Sequence, residues 1–93
     1  MLSGMNQPES VIAPMQSDEI QTMIEHGLPG AEVQVSGDGR HFDAIVITDA
    51  FAGKSLLERH RMVYATLGGK MGGDIHALTM RTYTREQWEQ AKV

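Results

Sequence analysis

Apolar residues recur along this chain at two spacings, near 3.6 and near 2, and the places where one gives way to the other divide it into helices and strands. From residue 17 the helical spacing applies. Ile20, Met23, Ile24 and Leu28 share one face, Ser17 stands where an N-cap belongs, and Asp18 and Glu19 occupy the first turn, where the helix dipole favours negative charge. Gly27 and "LPG" at 28–30 stop this helix. Alternation then takes over: in "AEVQV", Ala31, Val33 and Val35 point one way and Glu32 and Gln34 the other, as in a half-buried strand. "SGDGR" at 36–40 is a turn, and "HFDAIVIT" returns as a second strand with an almost continuous apolar run from Ala44 to Ile47. The two strands form a hairpin.

Ser55 and Glu58 make an S-x-x-E capping box, so a long helix starts near Leu56. Leu56, His60, Val63 and Leu67 fall at i, i+4, i+7 and i+11 on one stripe, with Leu57 and Tyr64 beside it. "GGKMGGD" at 68–74 ends the helix, and "IHALTMRTY" reads as a strand with His76, Leu78 and Met80 on one face and Ile75, Ala77 and Thr79 on the other. A second box, Thr84 with Gln87, opens a short helix anchored by Trp88. Residues 1–14 show no sustained periodicity and contain Pro8 and Pro14, so they read as a flexible leader before a domain at 15–93. The order helix, strand, strand, helix, turn, strand, helix predicts a single small α+β domain.

Composition narrows the function. At 93 residues the chain can bury roughly 60–65% of its unfolded surface, enough for one modest core. It has no cysteine, which excludes disulfide staples and self-supplied thiolate metal sites and agrees with a reducing compartment. No run reaches the length of a membrane span, and the N-terminus lacks the basic and apolar regions of a signal peptide, so a cytoplasmic location is expected. The net charge of −4 opposes bulk attraction to nucleic acid, but it is unevenly spread: residues 1–53 carry −7 and residues 54–93 carry +3. Arg59, Arg61, Lys70, Arg81 and Arg85 are interspersed rather than run together, as on an ordinary solvated surface.

Among the four histidines, His60 lies in the apolar stripe of the long helix and reads as a core residue whose ring nitrogens find partners. His26, near the end of the first helix, suits the dipole there. His41 closes the hairpin turn, where a solvated residue and a ligand are equally open readings. His76 begins a strand just after a glycine-rich turn, where a ring can still reach the surface. Gly69-Lys70-Met71-Gly72 is a G-x-x-G pattern like the loop that clamps nucleic-acid backbone in KH domains, although glycines after a helix more often serve as C-caps. No nucleophile neighbours a base in sequence, and Asp38, Asp43 and Asp49 show no metal-ligand pattern, so no enzyme is expected.

"FAGKSLLERHRMVYATL" followed closely by "IHALTMRTYTREQW" resembles the BolA-like family, and "VSGDGRHF" is similar to the hairpin of its IbaG-type branch. The similarity runs from about Ser17 to Trp88. It implies a three-stranded mixed sheet with helices packed on it, as in a type II KH domain. It also implies a non-enzymatic protein that binds a monothiol glutaredoxin and shares a [2Fe-2S] cluster with it. Other members are described as transcriptional regulators, with links to stress response. In the family the cluster-ligand histidine matches His76, and a second ligand falls in the region of His41. Such a cluster needs four ligands, mostly thiolates, with imidazole able to replace them on one iron. A chain without cysteine cannot supply that set, so any cluster is shared, with a glutaredoxin cysteine and a bound glutathione thiol completing it; alone, the chain is expected as a monomer or weak homodimer with nothing bound. The alternative is a DNA-binding regulator using Lys70, Gly69, Gly72, Arg59 and Arg61.

Overall fold

The computed structural model describes residues 15–71, 75 and 77–92. The expected leader at 1–14 lies outside them, as do Gly72 and His76. Helix α1 (Ser17–Gly27) leads into strands β1 (Glu32–Gly37) and β2 (His41–Ile47). A 3-10 turn (Asp49–Phe51), helix α2 (Leu56–Leu67), a second 3-10 turn (Gly68–Lys70), strand β3 (Ala77–Tyr83) and helix α3 (Arg85–Ala91) follow. The strands form one mixed sheet in the order β1-β2-β3, with β1 antiparallel to β2 and β2 parallel to β3. The element order is the one the residue pattern predicts, and the sheet type is the one the family resemblance implies.

The core lies between α1, α2 and one face of the sheet. Ile20 and Ile24 of α1, Val63 and Leu67 of α2, and Val33, Phe42, Ala44, Val46 and Met80 of the strands are all buried there. The two helices approach closely at Gly27, where any Cβ would run into the Thr66 side chain. Both sheet edges are blunted by side chains. Val35 N–H on β1 donates to Gln21 Oε1 (3.3 Å), and the Thr82 carbonyl on β3 accepts from Arg59 (3.4 Å). Such groups would otherwise offer a template for strand addition.

The structure departs from the sequence reading in four places. The first helix is capped at Gln16 rather than Ser17, because Glu19 reaches back to accept the Gln16 N–H (2.7 Å). The α2 stripe begins at His60: Leu56 and Leu57 are 64% and 59% exposed and Tyr64 is 39% exposed, so Tyr64 is a surface residue. The first turn of α2 is held to the body by Arg59 instead. Ile75 is fully buried in the same core as Met80, because it pairs with Met71 in an isolated bridge outside β3 and the alternation of the strand does not extend back to it. The 3-10 turn is also unforeseen. Thr48 Oγ1 accepts the Ala50 N–H (3.2 Å) and its own N–H donates to the Tyr83 carbonyl (2.9 Å), which drives Phe51 into the core. Both predicted capping boxes are present, at Ser55 with Glu58 and at Thr84 with Gln87, and Trp88 is half-buried against Tyr83, edge to face at 5.2 Å.

Candidate functional site

Parallel pairing of β2 with β3 puts the first residues of both strands at the same end of the sheet, and the register sets His41 opposite Ala77. The neighbouring loop is tied in as well, since Ala77 N–H donates to the Arg40 carbonyl (3.3 Å). His76 immediately precedes Ala77 in the chain.

The hairpin fixes His41 through its main chain. Asp38 Oδ1 accepts the N–H groups of both Arg40 (2.9 Å) and His41 (3.0 Å), an Asx turn, and Asp38 N–H donates to the His41 carbonyl (3.3 Å). Those two N–H donors, first that of His41 and then that of Arg40, hold the Asp38 carboxyl below its ordinary value. Gly37 is required here, because a Cβ would collide with the His41 carbonyl and the Phe42 ring. The His41 side chain is exposed, and its ring makes no hydrogen bond among the described residues. The hairpin thus fixes the main chain at His41 and leaves the imidazole on the surface. Among the described residues, no group of three or more His, Asp or Glu side chains could hold a metal ion, so His41 could act only with ligands from outside that set.

The basic candidates do not gather into one patch. Arg59 is committed to the fold: its guanidinium donates to Gln87 Oε1 (2.8 Å), the Lys54 carbonyl (3.1 Å) and the Thr82 carbonyl (3.4 Å), and it lies over the Phe51 ring at 5.6 Å. Arg61 is exposed on α2. Gly69 and Lys70 lie past the opposite end of that helix from Arg59, roughly 12 Å or more along its axis at 1.5 Å per residue. Lys70 also lines a groove of about 360 Å³ with Met15, Asp18, Glu19, Thr22 and Met23, so two carboxylates stand where a phosphate would have to approach. His60 is half-buried, and its Nε2, like Thr82 Oγ1, is buried without a hydrogen-bond partner among the described residues, where the sequence reading expects satisfied nitrogens.

Sequence reasoning missed the structural roles of Asp38, which holds the hairpin turn, and Arg59, which ties α2 to the body. An aspartate two and three residues before the N–H groups it accepts is a recognisable turn signature, so Asp38 was open to discovery. Arg59 was not, because its partners lie up to 28 residues away.

A family model described as "BolA-like protein" matches residues 17–87. The chain is 36% identical over 75 residues to the acid stress protein IbaG of Escherichia coli K12, covering 80% of this chain and 89% of that one. It is 33% identical over 76 residues to the DNA-binding transcriptional regulator BolA of the same organism, covering 82% and 67%. Among solved structures, a BolA homologue from Coxiella burnetii superposes with a TM-score of 0.74 at 43% identity, over 81% of this chain and 97% of that one. No helix among the described residues is long and apolar enough to cross a membrane.

Proposed function

We propose, from the premise that this chain belongs to the BolA-like family, that it is a non-enzymatic adaptor that binds a monothiol glutaredoxin and shares or passes on a [2Fe-2S] cluster. The observation that carries this reading is the register of His41 against Ala77, which gathers the start of β2 and the residue next to His76 at one sheet end. His76 is the principal ligand and His41 the second. The absence of cysteine supports a shared cluster, because the thiolates must come from the glutaredoxin and its bound glutathione. The Asx turn at Asp38 contributes by fixing the main chain from which the His41 ring projects.

The test is anaerobic cluster reconstitution of the mixed proteins, followed by visible absorption and circular dichroism. Imidazole is a neutral ligand and shifts the electronic transitions relative to thiolate, so the mixed complex should have a spectrum distinct from the glutaredoxin's own cluster. His76→Ala should erase that spectrum with the fold intact, and His41→Ala should weaken it. If His76→Ala gives the same spectrum as the unmodified chain, the ligand assignment fails.

A DNA-binding role is the second reading, favoured by the description of the Escherichia coli relative as a DNA-binding regulator. Phosphate-led binding weakens steeply with salt, and replacing Lys70 should lower the salt slope by about one unit. Tight DNA binding at physiological salt that Lys70→Glu abolishes, with the fold intact, would place this reading above the first.

A further inference from the structure

The sheet face turned away from α1 and α2 carries side chains in rows set by the strand register. One row is Glu32, Ile47 and Tyr83, the next Gln34, Ile45 and Arg81, and the next Ser36, Asp43 and Thr79. The first row is closed over by α3. Arg85, at the start of that helix, pairs with Glu32 (2.8 Å) and donates to the Gly30 carbonyl (3.0 Å), Trp88 packs on Tyr83, and Ile47 is 2% exposed although it points away from the main core. The next two rows stay open. They line a concavity of about 260 Å³ formed by Gln34, Val35, Ser36, Asp43, Ile45 and Arg81.

The polar groups around it are unused. The side chains of Gln34, Ser36, Asp43 and Arg81 make no hydrogen bond or ion pair among the described residues, although a carboxylate and a guanidinium share this one small surface. The two charged residues stand on a diagonal of the sheet. Ile45, not Asp43, stands opposite Arg81, so the two charged residues are offset by two positions on adjacent strands. With a rise of about 3.3 Å per residue and a strand spacing near 4.8 Å, their Cα atoms are about 8 Å apart. An arginine side chain is long enough to span that diagonal, yet the two charges do not pair here, and on either side of the apolar Ile45 they present complementary ends to a small molecule.

We infer that this concavity binds a small zwitterion, a free amino acid or a short peptide. Arg81 takes the carboxylate through its paired N–H donors, aided by the Gln34 amide and the Ser36 hydroxyl, while Asp43 takes the ammonium and Ile45 supplies the floor. The volume agrees, since pockets for drug-sized ligands run to about 300–1,000 Å³ and this one is smaller. The inference is independent of the cluster-sharing role, because none of these residues is a proposed ligand.

The test uses the full chain, labelled with nitrogen-15, titrated with leucine and with the dipeptide Ala-Leu while amide shifts are followed. Either probe should give saturable shifts centred on Gln34, Ser36, Asp43, Ile45 and Arg81, and which one saturates at lower concentration identifies the source. Arg81→Gln and Asp43→Asn should each weaken binding about tenfold or more. Both positions are exposed, so the fold should survive. N-acetylated and C-amidated Ala-Leu should each lose as much, a check that needs no variant. Absence of saturable shifts with both probes, shifts unchanged by Arg81→Gln, or equal binding of the blocked peptides would each overturn the inference.

Discussion

Where β3 ends, long side chains fasten the sheet to the helices: Arg59 joins Lys54, Thr82 and Gln87 over the Phe51 ring, and Arg85 joins Glu32 and Gly30 while its N–H donates to Asp49. Where β2 begins, the fastening is almost wholly main chain, with Asp38 as a single side-chain acceptor and Ala77 N–H donating to the Arg40 carbonyl. Fastening by side chains consumes functional groups, which is why Arg59 reads as a phosphate contact in sequence and as a strut in the structure. Fastening by main chain leaves the His41 ring exposed and without a hydrogen bond among the described residues. The protein therefore concentrates architecture at one end of its sheet and available chemistry at the other.

That contrast predicts unequal costs of truncation. Phe51→Ala, which empties a fully buried site under Arg59, should cost about 3–5 kcal/mol. Arg59→Ala should cost about 1–2 kcal/mol, at the low end for charged hydrogen bonds because the guanidinium is partly exposed. His41→Ala should stay within about 0.5 kcal/mol, since only an exposed ring is lost. Urea denaturation of the three variants measures all of this. Should His41→Ala prove as costly as Arg59→Ala, the distinction between the two ends would collapse.

A smaller effect, of opposite sign, is expected where α2 meets β3. His60 Nε2 and Thr82 Oγ1 are buried without partners among the described residues, and buried polar groups of that kind cost stability. His60→Leu with Thr82→Val should be neutral or stabilising by up to about 1 kcal/mol, read as a raised urea midpoint with an unchanged slope. A loss of more than about 1 kcal/mol would mean that these atoms are satisfied in solution and that the histidine has a polar role.

The sequence displayed what depends on local pattern. The period of the apolar residues gave the element order, and the capping boxes at Ser55 and Thr84 gave the starts of α2 and α3 to the residue. It hid what depends on contacts distant in the chain. The exposure of Leu56 and Tyr64, the burial of Ile75 through its bridge to Met71, and the commitment of Arg59 all follow from how elements pack after they form. The site was legible in part for the same reason. His41 stood out as a polar residue at a turn, whereas its position opposite Ala77 is a product of parallel pairing, which no local signal encodes.

The finest difference between the two ends lies in their titration, because each carries a carboxylate held below its ordinary value by N–H donors. At the fastened end the main-chain N–H of Ser55 is the first cause for Glu58, and at the open end the N–H groups of His41 and Arg40 act on Asp38. A group whose folded pKa is depressed favours folding when ionised. Its contribution is complete above its unfolded value, near 3.9 for aspartate, and is lost as pH falls through the lower folded value. Asp38→Asn keeps an oxygen acceptor for the turn but cannot ionise, so it isolates that contribution while Glu58 titrates alike in both proteins. The unmodified chain should melt slightly higher than Asp38→Asn by a constant margin above about pH 5, and the margin should shrink to nothing in strong acid. Amide hydrogen exchange at His41 should speed up in Asp38→Ala, which removes the acceptor, and change little in Asp38→Asn. A margin that grew toward low pH would have the wrong sign for a depressed carboxyl, and equal exchange in both variants would mean that Asp38 does not hold the His41 main chain in place.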